Sequence, residues 1–213
     1  GAKVQIIDSL KVNNIKTLKD NKNKIPFPSL AKRIINERLK LLKLNKIPLH
    51  ELDARNYHLL SKYFNLIKPH VVIHLAAVSH SDRSNKDPHS TFDHSLRTLE
   101  NSLDNSKGKI EHFIFLSSSM VYGNFKKKQV TERDKCEPIG IYGALKYSAE
   151  KIIQAYNQVF HLPYTILRPS ALYGERCISR RVGQIFIENC LNNQKILIQG
   201  DGKEKLDFTY IQD

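Results

Sequence analysis

Features that would assign this 213-residue sequence to a class at once are scarce. Its three cysteines, Cys136, Cys177 and Cys190, show no Cys-x-x-Cys spacing. So few thiols favour reduced side chains over a disulfide framework. The longest apolar runs, such as residues 71–78, are far too short to span a membrane, and no signal peptide opens the chain. We therefore expect a cytoplasmic protein without a membrane segment.

Acidic residues are also in deficit, since 34 Lys and Arg face 21 Asp and Glu and leave a net charge of +13. Such a surface attracts nucleic acids, anionic membranes or small anions. The lysines are dispersed, and the one short run, at 126–128, lacks the interleaved aromatic residues of single-strand binders. We interpret the charge first as a compositional bias, second as attraction for a phosphate-bearing substrate and third as a nucleic-acid surface. The nine histidines match no zinc spacing, so no metal site is predicted.

Segments with a strand-like hydrophobic pattern alternate along the chain with segments that have a helix-like pattern. Apolar β-branched runs predict five strands, at 3–8, 69–76, 109–118, 162–169 and 195–200. Apolar residues spaced by three and four predict helices at 29–44, 56–67, 88–106, 141–160 and 180–193. This alternation predicts an α/β fold whose parallel sheet carries helices on both faces, so that runs such as 71–76 are covered on both sides. The polar stretch 19–29 is predicted to be a loop.

Ligands of such folds bind at the carboxyl ends of the strands. The residues at these ends are Asp8, Ala76–Ala77, Ser117–Ser118 and Pro169–Ser170. An acid in the place of Asp8 accepts hydrogen bonds from an adenosine ribose, about 20 residues after a glycine-rich phosphate loop. Only seven residues precede Asp8. Asp8 is therefore either a cofactor ligand whose glycine loop lies before this chain, or a turn residue that ends the strand.

Six segments follow one another in an order that is typical of one family. They are LDARN (52–56), VVIHLAAVSHSDRS (71–84), FIFLSSSMVYG (113–123), YGALKYSAEK (142–151), LRPSALYG (167–174) and GDGKEKLDFTYIQD (200–213). With them the chain resembles the extended short-chain dehydrogenase/reductases, and among these the NAD-dependent epimerase/dehydratase group that includes UDP-glucose 4-epimerase. The resemblance implies a Rossmann-like doubly wound sheet in residues 1–169, without its first strand–helix unit, and the start of a smaller substrate-binding part in residues 170–213.

The Tyr-x-x-x-Lys pair of this family has three matches here: Tyr122–Lys126, Tyr142–Lys146 and Tyr147–Lys151. Context selects Tyr142, because PIGIYGALKYSAEK is close to the family's P-x-x-x-Y-x-x-S-K-x-x-x-E pattern. Tyr142 also follows Ser118 by 24 residues, as the family's tyrosine follows its catalytic Ser or Thr. The resemblance thus assigns catalysis to Ser118, Tyr142 and Lys146.

The chemistry explains these residue types. Tyr142 and Lys146, four residues apart on a helix, reach one ligand from one face. A free tyrosine has a pKa of about 10, and a nearby ammonium favours the phenolate, which then removes a proton from a sugar hydroxyl. Lys146 also holds the cofactor ribose, and Ser118 orients the reacting oxygen unless it only caps a turn at the strand end.

The resemblance implies NAD as the cofactor and assigns the contacts with both ligands. NAD would contact Asp8, Asp53, Ala54, Leu75, Ala76, Ala77, Ser117, Tyr142, Lys146 and Pro169. In this set Asp53 binds the adenine amino group. The two alanines form a small-residue wall, unless they only pack in the core. The substrate would contact Ser118, Ser119, Met120, Tyr142 and Arg181.

Three departures from the family pattern bear on the reaction. Ser119 and Met120 stand where the dehydratases carry an Asp-Glu pair, which favours epimerisation over 4,6-dehydration. Ala171 and Leu206 replace an Asn and an Arg that contact the substrate phosphates. The pair 180–181 supplies the missing positive charge, or else it is a solvated helix start.

The sequence therefore predicts an NAD-dependent nucleotide-sugar epimerase, most simply a 4-epimerase. We expect a cytoplasmic homodimer that serves surface-polysaccharide synthesis. Without a glycine loop this stretch by itself would hold NAD weakly. Two alternatives stay open: an oxidoreductase of the same fold with another substrate, and a dehydrogenase-like scaffold that binds RNA.

Overall fold

The computed structural model describes residues 1–19, 26–78, 81–198, 200–203 and 205–213. The strands are β1 (Ile6–Asp8), β2 (Leu49–Glu51), β3 (Val71–His74), β4 (His112–Leu116), β5 (Tyr164–Leu167), β6 (Ala171–Tyr173) and β7 (Phe208–Tyr210). The α-helices are α1 (Pro28–Leu44), α2 (Tyr57–Ile67), α3 (Ser81–Lys86), α4 (Pro88–Phe92), α5 (Thr98–Ser106), α6 (Gly140–Phe160) and α7 (Val182–Leu191). Single turns of 3₁₀-helix occupy Thr17–Lys19 and Ser119–Tyr122, and a π-helix joins α4 to α5 over Asp93–Arg97. In the described part of the chain no helix has the length and apolar character needed to cross a membrane.

The chain divides into two compact units. Unit 1 comprises Gly1–Glu51 and Ser170–Asp213, and unit 2 comprises Leu52–Pro169. Unit 1 contains two parallel strand pairs, β1 with β2 and β6 with β7. Its helix α1 begins at Pro28, where the missing N–H of proline costs no hydrogen bond. The division into domains at 1–169 and 170–213 stays a prediction.

Unit 2 is built on a three-stranded parallel sheet in the order β3–β4–β5. The side chains of β4 alternate, and Phe113 and Phe115 enter a core formed with α5 and α6. The rest of that core consists of Leu99, Leu103, Ala149, Ile153 and Leu162. Because the strands are parallel, their carboxyl ends lie at one edge of the sheet, where Lys146 of α6 contacts Leu116 at the end of β4.

Helix α6 owes its position to its own sequence pattern. Its buried residues recur at spacings of three and four along one face: Gly143, Lys146, Ala149, Glu150 and Ile153. The helix ends at His161, whose left-handed backbone (φ 53°) lets its N–H donate to the carbonyl of Asn157. A face that mixes core residues with Lys146 and Glu150 brings charged groups inside the unit.

The structure corrects three expectations. The strand predicted at 195–200 is wrong for the described residues of that range; Leu197 is 77% exposed and finds no partner strand. Helix α3 and strands β2, β6 and β7 were not predicted. The helix has six residues and each strand has three, which is too short for a hydrophobic repeat to be recognised. The run 71–76 is not covered on both faces, since Ile73 is 63% exposed. The loop predicted at 19–29 falls partly on residues 20–25, outside the described part.

Candidate functional site

Tyr142 and Lys146 lie one turn apart on α6 and adjoin the end of β4. The ammonium of Lys146 donates to the carbonyl of Leu116 at 2.6 Å and lies 4.8 Å from the ring centroid of Phe115. It is 6.0 Å from the ring centroid of Tyr142. Together with Ala77 these side chains line a cavity of about 10 Å³, which is room for about one water. The structure thus brings two of the three predicted catalytic residues, which are also predicted cofactor contacts, and a further predicted cofactor contact, Ala77, to one cavity.

The environment of Lys146 alters its titration. Burial lowers the pKa of Lys146 to about 8, and the negative charge of Glu150 opposes this shift. An ammonium with three N–H groups that spends one on Leu116 keeps donors for another acceptor. Lys146 is therefore suited to hold a hydroxyl-rich ligand beside Tyr142.

Ser118 lies two residues after β4, at the same edge of the sheet, and is buried. Its hydroxyl oxygen accepts a hydrogen bond from the N–H of Met120 at 3.2 Å, which caps the 3₁₀ turn. The capping role weighed for Ser118 is thus present in the structure. An oxygen that accepts a hydrogen bond keeps its own hydrogen to donate, so capping and the predicted catalytic role are compatible. The N–H of Ser119 donates to the carbonyl of Pro169 and ties the ends of β4 and β5 together.

Gly143 allows α6 to approach this turn. A Cβ at that position would lie 2.8 Å from the carbonyl oxygen of Met120 and 3.2 Å from the Cβ of Pro138. Sequence reasoning did not single out Gly143. The sequence did contain a sign of this close approach: a glycine, which destabilises helices, stands inside the predicted helix directly after Tyr142.

A buried polar network lies beneath the strand ends. Ser117 donates to Glu150 Oε1 at 2.5 Å, and Arg168 donates to both carboxylate oxygens, at 3.0 and 2.6 Å. Arg168 also donates to the hydroxyl of Tyr122 at 2.9 Å, and its bonds to Glu150 raise its pKa. The hydroxyl of Ser117 is therefore engaged inside the protein, and its N–H donates to the carbonyl of Leu167 at 2.7 Å. The contact of Ser117 with the cofactor stays a prediction. No role was predicted for Glu150 or Arg168, although Glu150 matches the last Glu of the family pattern and continues the four-residue spacing of Tyr142 and Lys146.

The residues after β3 present small and apolar groups at this edge. Leu75 and Ala76 are exposed, Ala77 is half-buried, and the carbonyl of Ala76 accepts a hydrogen bond from Thr98 at 3.1 Å. Just before them His74 is buried, and burial lowers its pKa to about 3. Its Nε2 atom finds no hydrogen-bond partner among the described residues.

Asp53 and Ala54 take part in contacts of their own. Both carboxylate oxygens of Asp53 accept hydrogen bonds from Arg55, and Arg55 also donates to Asp93 at 2.7 Å. The carbonyl of Ala54 accepts from Asn101 at 2.9 Å. An adenine amino group would share the Asp53 carboxylate with Arg55.

Two predicted ligand contacts lie in unit 1. The carboxylate of Asp8 accepts from the N–H of Leu10 at 2.6 Å, so the turn at the strand end exists. Asp8 also borders a cavity of about 330 Å³ between β1, β2 and α1. Arg181 is exposed at the start of α7, and its neighbour Arg180 donates to Glu188 at 2.7 Å. No group of His, Cys, Asp or Glu side chains in the described ranges is arranged to hold a metal ion.

Comparisons with known proteins relate this geometry to a family. The sequence model of the NAD dependent epimerase/dehydratase family matches residues 11–213. A dTDP-D-glucose 4,6-dehydratase of Dictyostelium discoideum is 32% identical over 73% of this chain and 38% of its own length. An uncharacterized UDP-glucose epimerase of Bacillus subtilis is 34% identical over 67% of this chain and 46% of its own. The chain thus spans about half the length of these relatives or less.

Solved structures agree with the fold. UDP-glucuronic acid 4-epimerase from Bacillus cereus, in complex with UDP-glucuronic acid and NAD, superposes with a TM-score of 0.80 at 27% identity, over 99% of this chain and 70% of that one. UDP-glucose 4-epimerase from Thermotoga maritima, with UDP-glucose, gives 0.76 at 26% identity, over 100% and 62%. These likenesses confirm the predicted Rossmann-like α/β fold, and NAD is the cofactor of the family as predicted. This chain belongs to the NAD-dependent epimerase/dehydratase family.

Proposed function

We propose that this chain is part of a nucleotide-sugar 4-epimerase that uses NAD. The observation that carries the proposal is the cavity shared by Tyr142, Lys146 and Ala77 at the carboxyl end of the sheet, with Ser118 on the same edge. Solved neighbours that contain UDP-glucuronic acid or UDP-glucose support the substrate class.

The three side chains divide the work of proton transfer. Tyr142 takes the proton from the sugar hydroxyl at the carbon that is oxidised, and it returns the proton when that carbon is reduced again. The ammonium of Lys146, one helical turn away, favours the phenolate form of Tyr142. Ser118 donates a hydrogen bond to the reacting oxygen and holds it in line.

The residues present fit NAD. Lys146 supplies spare N–H donors for ribose hydroxyls, while Ala76 and Ala77 leave room at the strand end. The carboxylate of Asp8 beside its cavity suits the adenosine ribose. When bound, NAD accepts a hydride from the sugar and gives it back, which allows the carbon to invert.

Epimerisation is favoured over dehydration by the two residues after Ser118. Elimination of water requires an acid and a base beside the sugar, and neither Ser119 nor Met120 has a side chain that exchanges a proton near neutral pH. Met120 is exposed at the start of the 3₁₀ turn. Dehydratases occur among the relatives, so the choice rests on these residues.

The decisive experiment removes one oxygen atom. We expect Tyr142→Phe in the full-length protein to lower turnover of UDP-glucose to UDP-galactose by roughly 10²- to 10⁴-fold, the usual contribution of a positioned acid–base group. Tyr147→Phe is the matched control, because Tyr147 lies on the same helix and forms another of the three Tyr-x-x-x-Lys pairs, with Lys151. This variant should keep activity near the wild-type level. A fully active Tyr142→Phe enzyme would rule out the mechanism.

The same assay separates the two alternatives. Net accumulation of NADH with a sugar nucleotide or another alcohol, without epimer formation, would indicate an oxidoreductase. Silence with every sugar nucleotide, together with RNA binding that weakens steeply with salt, would indicate a binding scaffold.

We further place the enzyme in the cytoplasm, as a homodimer that supplies sugar donors for surface polysaccharides. The sparse free thiols suit a reducing compartment. Exposed apolar side chains at the end of α6, Val159 and Phe160, are of the kind that a subunit partner covers.

A further inference from the structure

Helix α6 carries three ionisable side chains in register, and the proposed function uses only two of them. Tyr142, Lys146 and Glu150 are spaced by four residues and so lie on one face of the helix. Their exposure falls along that face, from a half-buried Tyr142 through Lys146 at 8% to Glu150 at 0%. A fully buried carboxylate one turn behind a nearly buried ammonium calls for an explanation.

The carboxylate of Glu150 is held from two strands. Ser117, after β4, and Arg168, after β5, donate three hydrogen bonds to it. Arg168 is itself fixed by Tyr122, whose hydroxyl accepts a hydrogen bond and whose ring centroid lies 5.0 Å from the guanidinium. A buried ion pair persists only when its polar atoms are satisfied, and it contributes little net stability against an apolar replacement. Glu150 therefore points to a positioning role.

The surroundings of Lys146 show what this carboxylate does. Burial favours the neutral amine of Lys146, and Glu150 is the acidic group whose charge opposes that tendency. His74, on β3, also faces Lys146, and burial keeps this imidazole neutral near neutral pH. On α6, the ring of Tyr142 lies beside the ammonium of Lys146. Arg168 forms an ion pair with Glu150.

The π-helix also borders the cavity, and its one acidic side chain is paired with another residue. The π-helix places Ser95 in the cavity wall. Its ionisable residues bond elsewhere: Asp93 is paired with Arg55, His94 bonds to the carbonyl of Ser90, and Arg97 bonds to Glu100. Among the side chains that the structure describes, the negative charge that acts on Lys146 therefore comes from its own helix.

We propose that Glu150, clamped by Ser117 and Arg168, is a positioning residue that keeps Lys146 in its ammonium form and anchors the serine-bearing end of β4. Its effect on catalysis rests on the proposed function, because Lys146 acts there on Tyr142. Its effect on Lys146 does not, and can be measured without substrate.

The experiment measures the titration of Lys146 in the full-length protein. Trace labelling with acetic anhydride across a pH series, read by peptide mass spectrometry, reports the midpoint at which Lys146 becomes a free amine. Glu150→Gln keeps the volume and removes the charge, so this midpoint should fall by about one pH unit, the lower end for loss of a nearby opposite charge. The alkaline limb of kcat/KM should move in the same direction.

A matched control and a second variant keep the result interpretable. Glu37→Gln makes the same change at an exposed carboxylate paired with Arg176, and it should leave the midpoint of Lys146 unchanged. If Glu150→Gln does not fold, the double variant Glu150→Gln/Arg168→Met, which removes both buried charges, takes its place, and its Lys146 midpoint should still lie below that of the wild type. A wild-type midpoint in every folded variant would overturn the proposal.

The two proposals fail separately. A fully active Tyr142→Phe enzyme with a shifted Lys146 midpoint in Glu150→Gln would refute the epimerase mechanism and leave the role of Glu150 intact. An inactive Tyr142→Phe enzyme with an unshifted Lys146 midpoint in Glu150→Gln would support the epimerase mechanism and refute the role of Glu150.

Discussion

At the scale of single residues, His74 is a polar side chain held where charge is costly. Its ring lies 5.9 Å from that of Phe113 and 6.1 Å from that of Phe115, nearly parallel to both. Burial first, and then the charge of Lys146, lower its pKa to about 3. In the unfolded chain a histidine titrates near 6.5. The folded state therefore binds fewer protons than the unfolded state between these two values.

This difference predicts an acid sensitivity that one substitution removes. The contribution of His74 to the free energy of unfolding is complete above pH 6.5 and is lost as pH falls towards 3, by about 1.4 kcal/mol per pH unit. His74→Leu should keep stability at pH 7 and lose less of it between pH 6.5 and 5, by about 2 kcal/mol relative to wild type. Urea titrations across this range measure the effect. His58→Leu, at an exposed histidine of α2, is the control and should follow the wild-type curve.

Sequence reasoning went further with some residues than with others. Tyr142 and Lys146 were found because helical spacing and local context are both written in the sequence. The partners of Glu150 were not, since Ser117 and Arg168 lie 33 and 18 residues away and meet it only through strand packing. The roles predicted for Ser118, Tyr142 and Lys146 stay predictions until the substitutions are made.

At the scale of elements, the docking of α6 on the 3₁₀ turn sets the site. The turn carries Ser118 as its cap, and a Cβ at Gly143 would lie 2.8 Å from the carbonyl oxygen of Met120 in this turn. A methyl group there would meet a backbone carbonyl rather than a flexible side chain. The helix must then move away from the strand ends.

We therefore expect Gly143→Ala to lower the free energy of unfolding by about 1–3 kcal/mol, as overpacking does, despite the better helix propensity of alanine. Gly183→Ala is the matched control, because a Cβ at that position of α7 meets nothing within 4 Å. It should be neutral or stabilising by up to about 1 kcal/mol. Thermal unfolding followed by circular dichroism compares the two. Equal destabilisation at both sites would contradict the docking argument.

The helices were also the elements that the sequence predicted best. Each of the five long helical patterns became helix, because apolar residues repeat over three or more turns. The three-residue strands β2, β6 and β7 carry no such repeat and depend on their partners. The strand expected at 195–200 shows the converse, since the apolar residues of this range that the structure describes pair with no neighbouring strand.

At the scale of the whole molecule, the charge of +13 and the exposed apolar side chains favour different partners. Charge attracts polyanions, and that attraction is screened by salt. Apolar contacts between subunits are not weakened in this way. Ionic strength therefore distinguishes the expected homodimer from an RNA complex.

Light scattering of the full-length protein should report a dimer at both low and high salt. Any association with single-stranded RNA should weaken steeply over the same change and show no sequence preference. A monomer at all concentrations would contradict the homodimer. Salt-sensitive RNA binding by a protein that is inactive with every sugar nucleotide would favour the scaffold alternative.

The uncovered side of the β3–β4–β5 sheet matters for anyone who produces this stretch of polypeptide. Ile73 and Leu167 leave an apolar strip open to water on strands rich in β-branched residues. Such exposed apolar strips promote aggregation while the chain is being synthesised and folded. Recombinant cells would deposit the material in inclusion bodies, and a solubilising fusion or co-expressed chaperones would be needed to recover it.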